Sequence, residues 1–198
     1  MKPTKSIYDY IDDPRVDADE SRLDIQADSI EIAKSSVDKK VFLPATYKYI
    51  DLSDTKLSNC ELNSVICFRS TLVRINLVNS QLTGLQLPEG NFKSVVFNQS
   101  RINLSNFRRS EFENCIFSDC DLSEADFAAS SFKNVLFDNC MLGQVDFSNC
   151  KCKNVIFKNC SLVDINGVSG IASATISTQN LIEIAPLLAS ELHITVEV

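Results

Sequence analysis

From Leu52 to Leu162 every fifth residue is apolar, without an insertion or deletion along the way. The 23 positions begin Leu52, Leu57, Leu62, Cys67 and turn mostly aromatic from Phe92 to Phe157. An α-helix repeats at about 3.6 residues and a strand at about 2, so neither carries a period of five. A fixed step held this long marks a repeat architecture. A second register lies two residues earlier and holds mostly small or β-branched residues, among them Cys60, Val65, Ser70, Ile75, Cys115, Ala125 and Val155. Residues two apart in an extended segment point to the same side, so both registers face inward and the residue between them faces out. The other two residues of each pentad are rich in Ser, Asn, Lys, Asp and Gly, which suits a corner.

Sorting the core register by every twentieth residue gives uniform columns. Leu62, Leu82, Ile102, Leu122, Leu142 and Leu162 form one; Phe97, Phe117, Phe137 and Phe157 a second. Phe107, Phe127 and Phe147 form a third, and Phe92, Phe112 and Phe132 a fourth. Four pentads per coil stack like on like. The pattern predicts an all-β fold, a quadrilateral parallel β-helix of about 20 residues per coil and about 28 Å long, taking ~4.8 Å between coils. Parallel crossovers favour one hand, so the coil is expected to be right-handed.

At residues 50–165 the chain resembles the pentapeptide-repeat family, whose fold is a right-handed quadrilateral β-helix. The wording departs from the family's usual A-(D/N)-L-x-x: only Ala125 supplies Ala in the small register. Asp or Asn precedes the core residue only at Asp51, Asn76, Asn91, Asn106, Asp121, Asp126 and Asp146.

The flanks break the rhythm. Ile32, Val37, Phe42 and Tyr47 keep its phase, so residues 30–49 read as a degenerate first coil, although Lys40 and Pro44 fit it badly. Residues 1–29 read as a flexible acidic arm whose Ile7, Tyr8, Tyr10 and Ile11 are able to dock. After Ile165 comes a Gly/Ser loop, then Ser177 or Thr178 as a helix cap. Leu181, Ile184, Leu188 and Leu192 follow on one helical face, with Pro186 expected to kink or break the helix. His193 to Val198 reads as a short strand. Residues 166–198 are therefore expected to cap the last coil, because a solenoid must protect its open ends. The resemblance adds that some members dimerise through this end.

On one face the outward residues are apolar. Val96, Ile116, Leu136 and Ile156 recur every twenty residues and should stack as an exposed aliphatic stripe. A contiguous apolar patch usually meets something. Another protein chain or a second copy is one occupant, and the N-terminal arm folding back is another. A third reading gives the stripe no role, since β-branched residues suit strands on their own account. Columns such as Asn59, Asn79, Gln99, Asp119, Asn139, Asn159 and Asn114, Asn134, Asn154 are expected to hydrogen-bond from coil to coil.

Composition narrows the function. The net charge of -7 argues against a protein held to nucleic acid through phosphates. All eight cysteines fall on the inward registers, which reads as reduced thiols acting as small core residues rather than ligands. Without a signal peptide or a long apolar run, the chain is expected in the cytoplasm and away from membranes. His193 is the one histidine, no glycine-rich phosphate loop appears, and a filled tube offers no cleft, so no catalytic residue, metal or cofactor is expected. The chain thus reads as a non-enzymatic protein–protein interaction scaffold with an unnamed protein partner, and a homodimer through the C-terminal helix or the stripe. The resemblance supplies the alternative. Quinolone-resistance members mimic duplex DNA, bind DNA gyrase or topoisomerase, and modulate quinolone sensitivity. Residues 50–165, with 13 acidic and 11 basic side chains, are too nearly neutral to suit a polyanion mimic.

Overall fold

A computed structural model describes Pro14, residues 22–26 and residues 28–196. Its main sheet contains β1 (Arg22–Ile25), β2 (Ser29–Ala33), β3 (Ser36–Asp38), β5 (Tyr49–Ser58) and β7 (Thr71–Val78). It continues through β8 (Asn91–Asn98), β9 (Glu111–Ser118), β10 (Ser131–Asp138) and β11 (Lys151–Lys158). Elsewhere β4 (Thr46–Tyr47) pairs with β6 (Ile66–Cys67). From β2 onward neighbours are parallel and twenty residues apart, as in Leu52↔Leu72, Leu72↔Phe92 and Phe112↔Phe132. Each eight-residue strand turns one corner and spans two sides of the coil. The remaining two sides are joined by single bridges, Gln81↔Arg101↔Asp121 on one and Gln86↔Asn106↔Asp126 on the other. The result is the four-sided, twenty-residue solenoid that the five-step pattern demands.

The corners have a common solution. All 23 residues standing two places after a core residue, from Asp54 to Asp164, have φ between 48° and 69°. This left-handed conformation costs an ordinary L-residue about 1–2 kcal/mol, and Asn, Asp and Gly tolerate it best. Twelve of the positions carry one of those three residues, which explains the Asn-rich texture of the chain. Several corners also close an i→i+3 hydrogen bond, such as Ala125 N–H to Leu122 C=O at 3.0 Å. Leu104 is the misfit, an exposed aliphatic residue at φ 59°.

Inside, the columns stack. Phe97–Phe117 and Phe117–Phe137 have ring centroids 4.7 and 4.9 Å apart with nearly parallel planes. Rings from neighbouring columns meet edge to face, as Phe107 and Phe112 do at 5.9 Å. Such pairs add about 0.5–1.5 kcal/mol beyond burial. Where the Leu coils meet the Phe coils the packing leaves a cavity of about 20 Å³ between Leu52, Leu62, Leu72, Leu77, Leu82 and Phe97.

The small register has a polar task that composition conceals. Its hydroxyls and thiols reach carbonyls of the neighbouring coil: Ser130 Oγ donates to Phe107 C=O at 2.7 Å, Cys115 Sγ to Phe92 C=O at 3.4 Å and Cys150 Sγ to Phe127 C=O at 3.0 Å. Ser100 Oγ also accepts from Ser80 N–H at 3.1 Å. Ser and Cys are interchangeable here because each fills a small space and supplies one donor. All eight cysteines are free thiols. Burial pushes Cys115 and Cys150 up to about 12 and Cys152 up to about 11.

Both ends of the chain depart from the sequence reading. Residues 22–25, expected within a flexible arm, form β1, which runs antiparallel to β2 and covers the open edge of the first coil. An unpaired edge exposes backbone donors and acceptors, so a strand that turns back on it is favoured. Ile7, Tyr8, Tyr10 and Ile11 lie outside the described residues. Ile32, Val37, Phe42 and Tyr47 are buried in the first coil. At the other end α1 (Thr178–Glu191) is one helix of 14 residues that continues past Pro186 rather than breaking there. Residues 194–196 form no strand, and Glu197 and Val198 lie outside the described residues. Among the described residues no helix is long and apolar enough to cross a membrane.

Two outcomes are expected. Leu104→Asn relieves an unfavourable left-handed residue and should raise stability by about 0.5–1 kcal/mol in urea unfolding. Ellman's reagent at pH 8 should find no fast-reacting thiol in the folded protein and eight after unfolding. The folded Cys115, Cys150 and Cys152 thiols titrate above their unfolded value, so their share of stability is whole below about pH 8.5 and is lost as the pH rises toward about 12. Thermal melts across that window should fall, and should fall less for Cys115→Val.

Candidate interaction surface

The outward column on the second half of the long strands runs Ser36, Lys56, Asn76, Val96, Ile116, Leu136 and Ile156, each in register with the next. The structure brings Val96, Ile116, Leu136 and Ile156 together as expected. The expectation of exposure is corrected: Ile116 and Leu136 are each only 4% exposed, while Val96 and Ile156 are half-buried. Stacking one coil above and one below shields the flanks of the middle pair. The sheet itself separates this cluster from the main core. A small apolar cluster therefore sits on the outside of the tube.

Polar ladders rim it. On one side Asn134 Nδ2 donates to Asn114 Oδ1 at 2.8 Å, and Asn154 Nδ2 to Asn134 Oδ1 at 2.9 Å. On the other, Asn139 Nδ2 donates to Asp119 Oδ1 at 2.6 Å and Lys158 Nζ to Asp138 Oδ2 at 2.7 Å. An apolar centre with a polar rim is the layout of a protein interface. The sequence showed both columns. It missed that the Asn residues of these ladders also occupy the left-handed corners, so each serves twice.

The helix expected to present Leu181, Ile184, Leu188 and Leu192 on one face is turned differently. Ile184 is buried and Leu188 half-buried against the last coil, together with Leu187. Leu181 and Leu192 are 50% and 66% exposed, and Leu192 lies just past the helix end. Polar residues displace them because the last coil leaves backbone groups without a following coil. Asn180 Nδ2 donates to Cys160 C=O at 2.7 Å, and Glu183 Oε2 accepts from Leu162 N–H at 2.9 Å. That N–H holds the Glu183 carboxyl below its usual range. Asn180 also closes a capping box with Ser177 at the helix start. Below the coil, a Cβ added at Gly170 would sit 1.8 Å from the Phe147 carbonyl oxygen, so only glycine fits there.

Elsewhere three outward carboxylates are engaged by nearby backbone N–H groups. Asp121, Asp126 and Asp146 accept from the N–H two residues on, at 3.0, 2.9 and 2.7 Å. Asp126 also binds Arg108 Nη1 at 2.8 Å. Among the described residues no cluster of three or more His, Cys, Asp or Glu is placed to hold a metal.

Residues 90–166 match the family described as Pentapeptide repeat region, and that stretch is built of pentapeptide repeats. The comparison with curated proteins gives no match. Among solved structures, full-length QnrB1, a plasmid-mediated fluoroquinolone resistance protein, is similar at 13% identity and a TM-score of 0.38, covering 84% of this chain and 100% of that one. HetL, a pentapeptide-repeat protein involved in heterocyst differentiation regulation from the cyanobacterium Nostoc sp. strain PCC 7120, has 14% identity and a TM-score of 0.24 over 77% of this chain and 80% of its own. Rfr23 from the cyanobacterium Cyanothece 51142 has 12% identity and a TM-score of 0.25 over 76% and 88%. Similarities this distant carry no argument about what the chain binds.

Replacing Glu183 with Ala should cost on the order of 1 kcal/mol by leaving the Leu162 N–H without its acceptor. Because the folded carboxyl titrates below its unfolded value, its contribution is present above about pH 4.5 and is lost as the pH falls through the folded pKa. Melting of wild type and variant should therefore converge in acid.

Proposed function

We propose that this pentapeptide-repeat solenoid is a non-enzymatic scaffold for protein–protein interaction. The reading rests on the apolar column outside the tube, separated from the core and rimmed by polar ladders. The interior is filled by its own side chains, so the solenoid contributes a rigid surface rather than a pocket. The acidic side chains of the bridged face are spent on local N–H groups and on Arg108, which supports a scaffold over a polyanion mimic. Free thiols throughout the core suit a reducing compartment such as the cytoplasm. The exposed outer side of α1, with Leu181 and Ile182, is the surface on which a second copy would pair.

Two measurements test this. Purified partner candidates should bind wild type in a defined stoichiometry and should lose that binding in Ile116→Ser/Leu136→Ser, with the melting of the rod retained. Equal binding by the variant removes the stripe from the reading. Light scattering should give a dimer for wild type and a monomer for Leu181→Ser/Ile182→Ser; a wild-type monomer removes the second copy.

A further inference from the structure

Three of the eight cysteines form a column of their own. Cys120, Cys140 and Cys160 stand in one inward register in successive coils. The coils are tied beside them by Met141 N–H to Cys120 C=O at 3.0 Å and Ser161 N–H to Cys140 C=O at 3.3 Å. The other five cysteines have no cysteine twenty residues away. The three side chains take the same pose, each thiol donating to the carbonyl of a core phenylalanine one coil back: Phe97 at 3.5 Å, Phe117 at 3.4 Å and Phe137 at 3.4 Å. The middle thiol, Cys140, also hydrogen-bonds to Cys120 and to Cys160, which lowers those two from the usual thiol range and raises its own.

A shared pose on a coil spacing of ~4.8 Å sets consecutive sulfurs about one coil step apart. A disulfide needs Cβ atoms about 3.8 Å apart, so it would have to pull adjacent coils together against the backbone ladder. A two-coordinate soft cation held between two thiolates spans about 4.6 Å, taking ~2.3 Å for each metal–sulfur bond as in zinc sites. The spacing of the column meets the second demand and misses the first.

We propose that Cys120, Cys140 and Cys160 bind Cu(I), with one ion between each adjacent pair and the Cys140 sulfur shared by both. Thiolates select this soft ion over magnesium, calcium or manganese. Among the described residues no three such side chains converge on one point, so the tetrahedral set that zinc takes is absent and a line of paired ligands is what the column offers. Binding releases the three thiol protons to solvent, and three thiolates with two Cu(I) leave one net negative charge. An open groove on the outside of the tube reaches Cys120, and Arg101 on its wall is placed to offset that charge. Met141 lines the same groove and offers a thioether to an entering ion. This site uses the inside of the tube and is independent of the outer stripe.

Anaerobic titration of the reduced full-length protein with Cu(I), supplied as its acetonitrile complex, tests the assignment. Native mass spectrometry counts the ions, and the ultraviolet thiolate-to-copper absorption reports the ligand. Wild type should take up about two ions per chain, Cys120→Ser and Cys160→Ser about one each, and Cys140→Ser none, with the melting temperature rising only in the proteins that bind. Serine already fills this register at Ser80 and Ser100, so the variants keep the fold, and their melting without copper checks it. Cys115→Ser should bind as wild type does. No uptake by wild type overturns the proposal, as does equal uptake by wild type and Cys140→Ser. Uptake abolished by Cys150→Ser/Cys152→Ser overturns it too, by placing the copper at the end of the chain.

Discussion

The N–H groups of one coil donate to carbonyls of the neighbouring coils, and this ladder admits only one coil length. Asn91 N–H meets Ser70 C=O and Glu111 N–H meets Gly90 C=O, each across the same interval of chain. One extra residue would carry every later side chain from inside to outside. The ladder thus enforces the unbroken phase, the like-on-like columns and the left-handed corner after each side. It also explains why Ser, Thr and Cys share the small register: apart from Ser70, whose Oγ is buried without a partner, their side chains add bonds between coils in parallel with the backbone.

A ladder has two open ends, and the chain closes them by different means. At the start β1 lies antiparallel on β2, so the first coil's edge meets a strand. At the finish α1 offers side chains, Asn180 and Glu183, to backbone groups of the last coil, with Ile184 and Leu187 filling the space between. A helix cannot continue a strand ladder with its own backbone. It must supply polar side chains on its inner face, and that demand sets how α1 is rotated.

The surface follows from the same register. Since outward positions also repeat every twenty residues, a run of four aliphatic residues becomes a continuous column, and polar corners become rims. An interaction surface on such a rod is therefore a linear object, one residue wide and several coils long. An extended chain segment is the shape that matches it.

The sequence by itself determined the coil, its four sides, the inward registers, the aromatic columns, the Asn ladders and the membership of the outward stripe. Each is a consequence of a strict period, and a period is legible without coordinates. Only the tertiary structure decided that residues 22–25 are a strand, that α1 presents Asn180 and Glu183 inward while Leu181 faces out, and that Ile116 and Leu136 are buried. Those features answer to unpaired backbone groups and to neighbours distant in the chain. No local pattern records them, because they arise where the repeat stops and where one part of the molecule comes to lie on another.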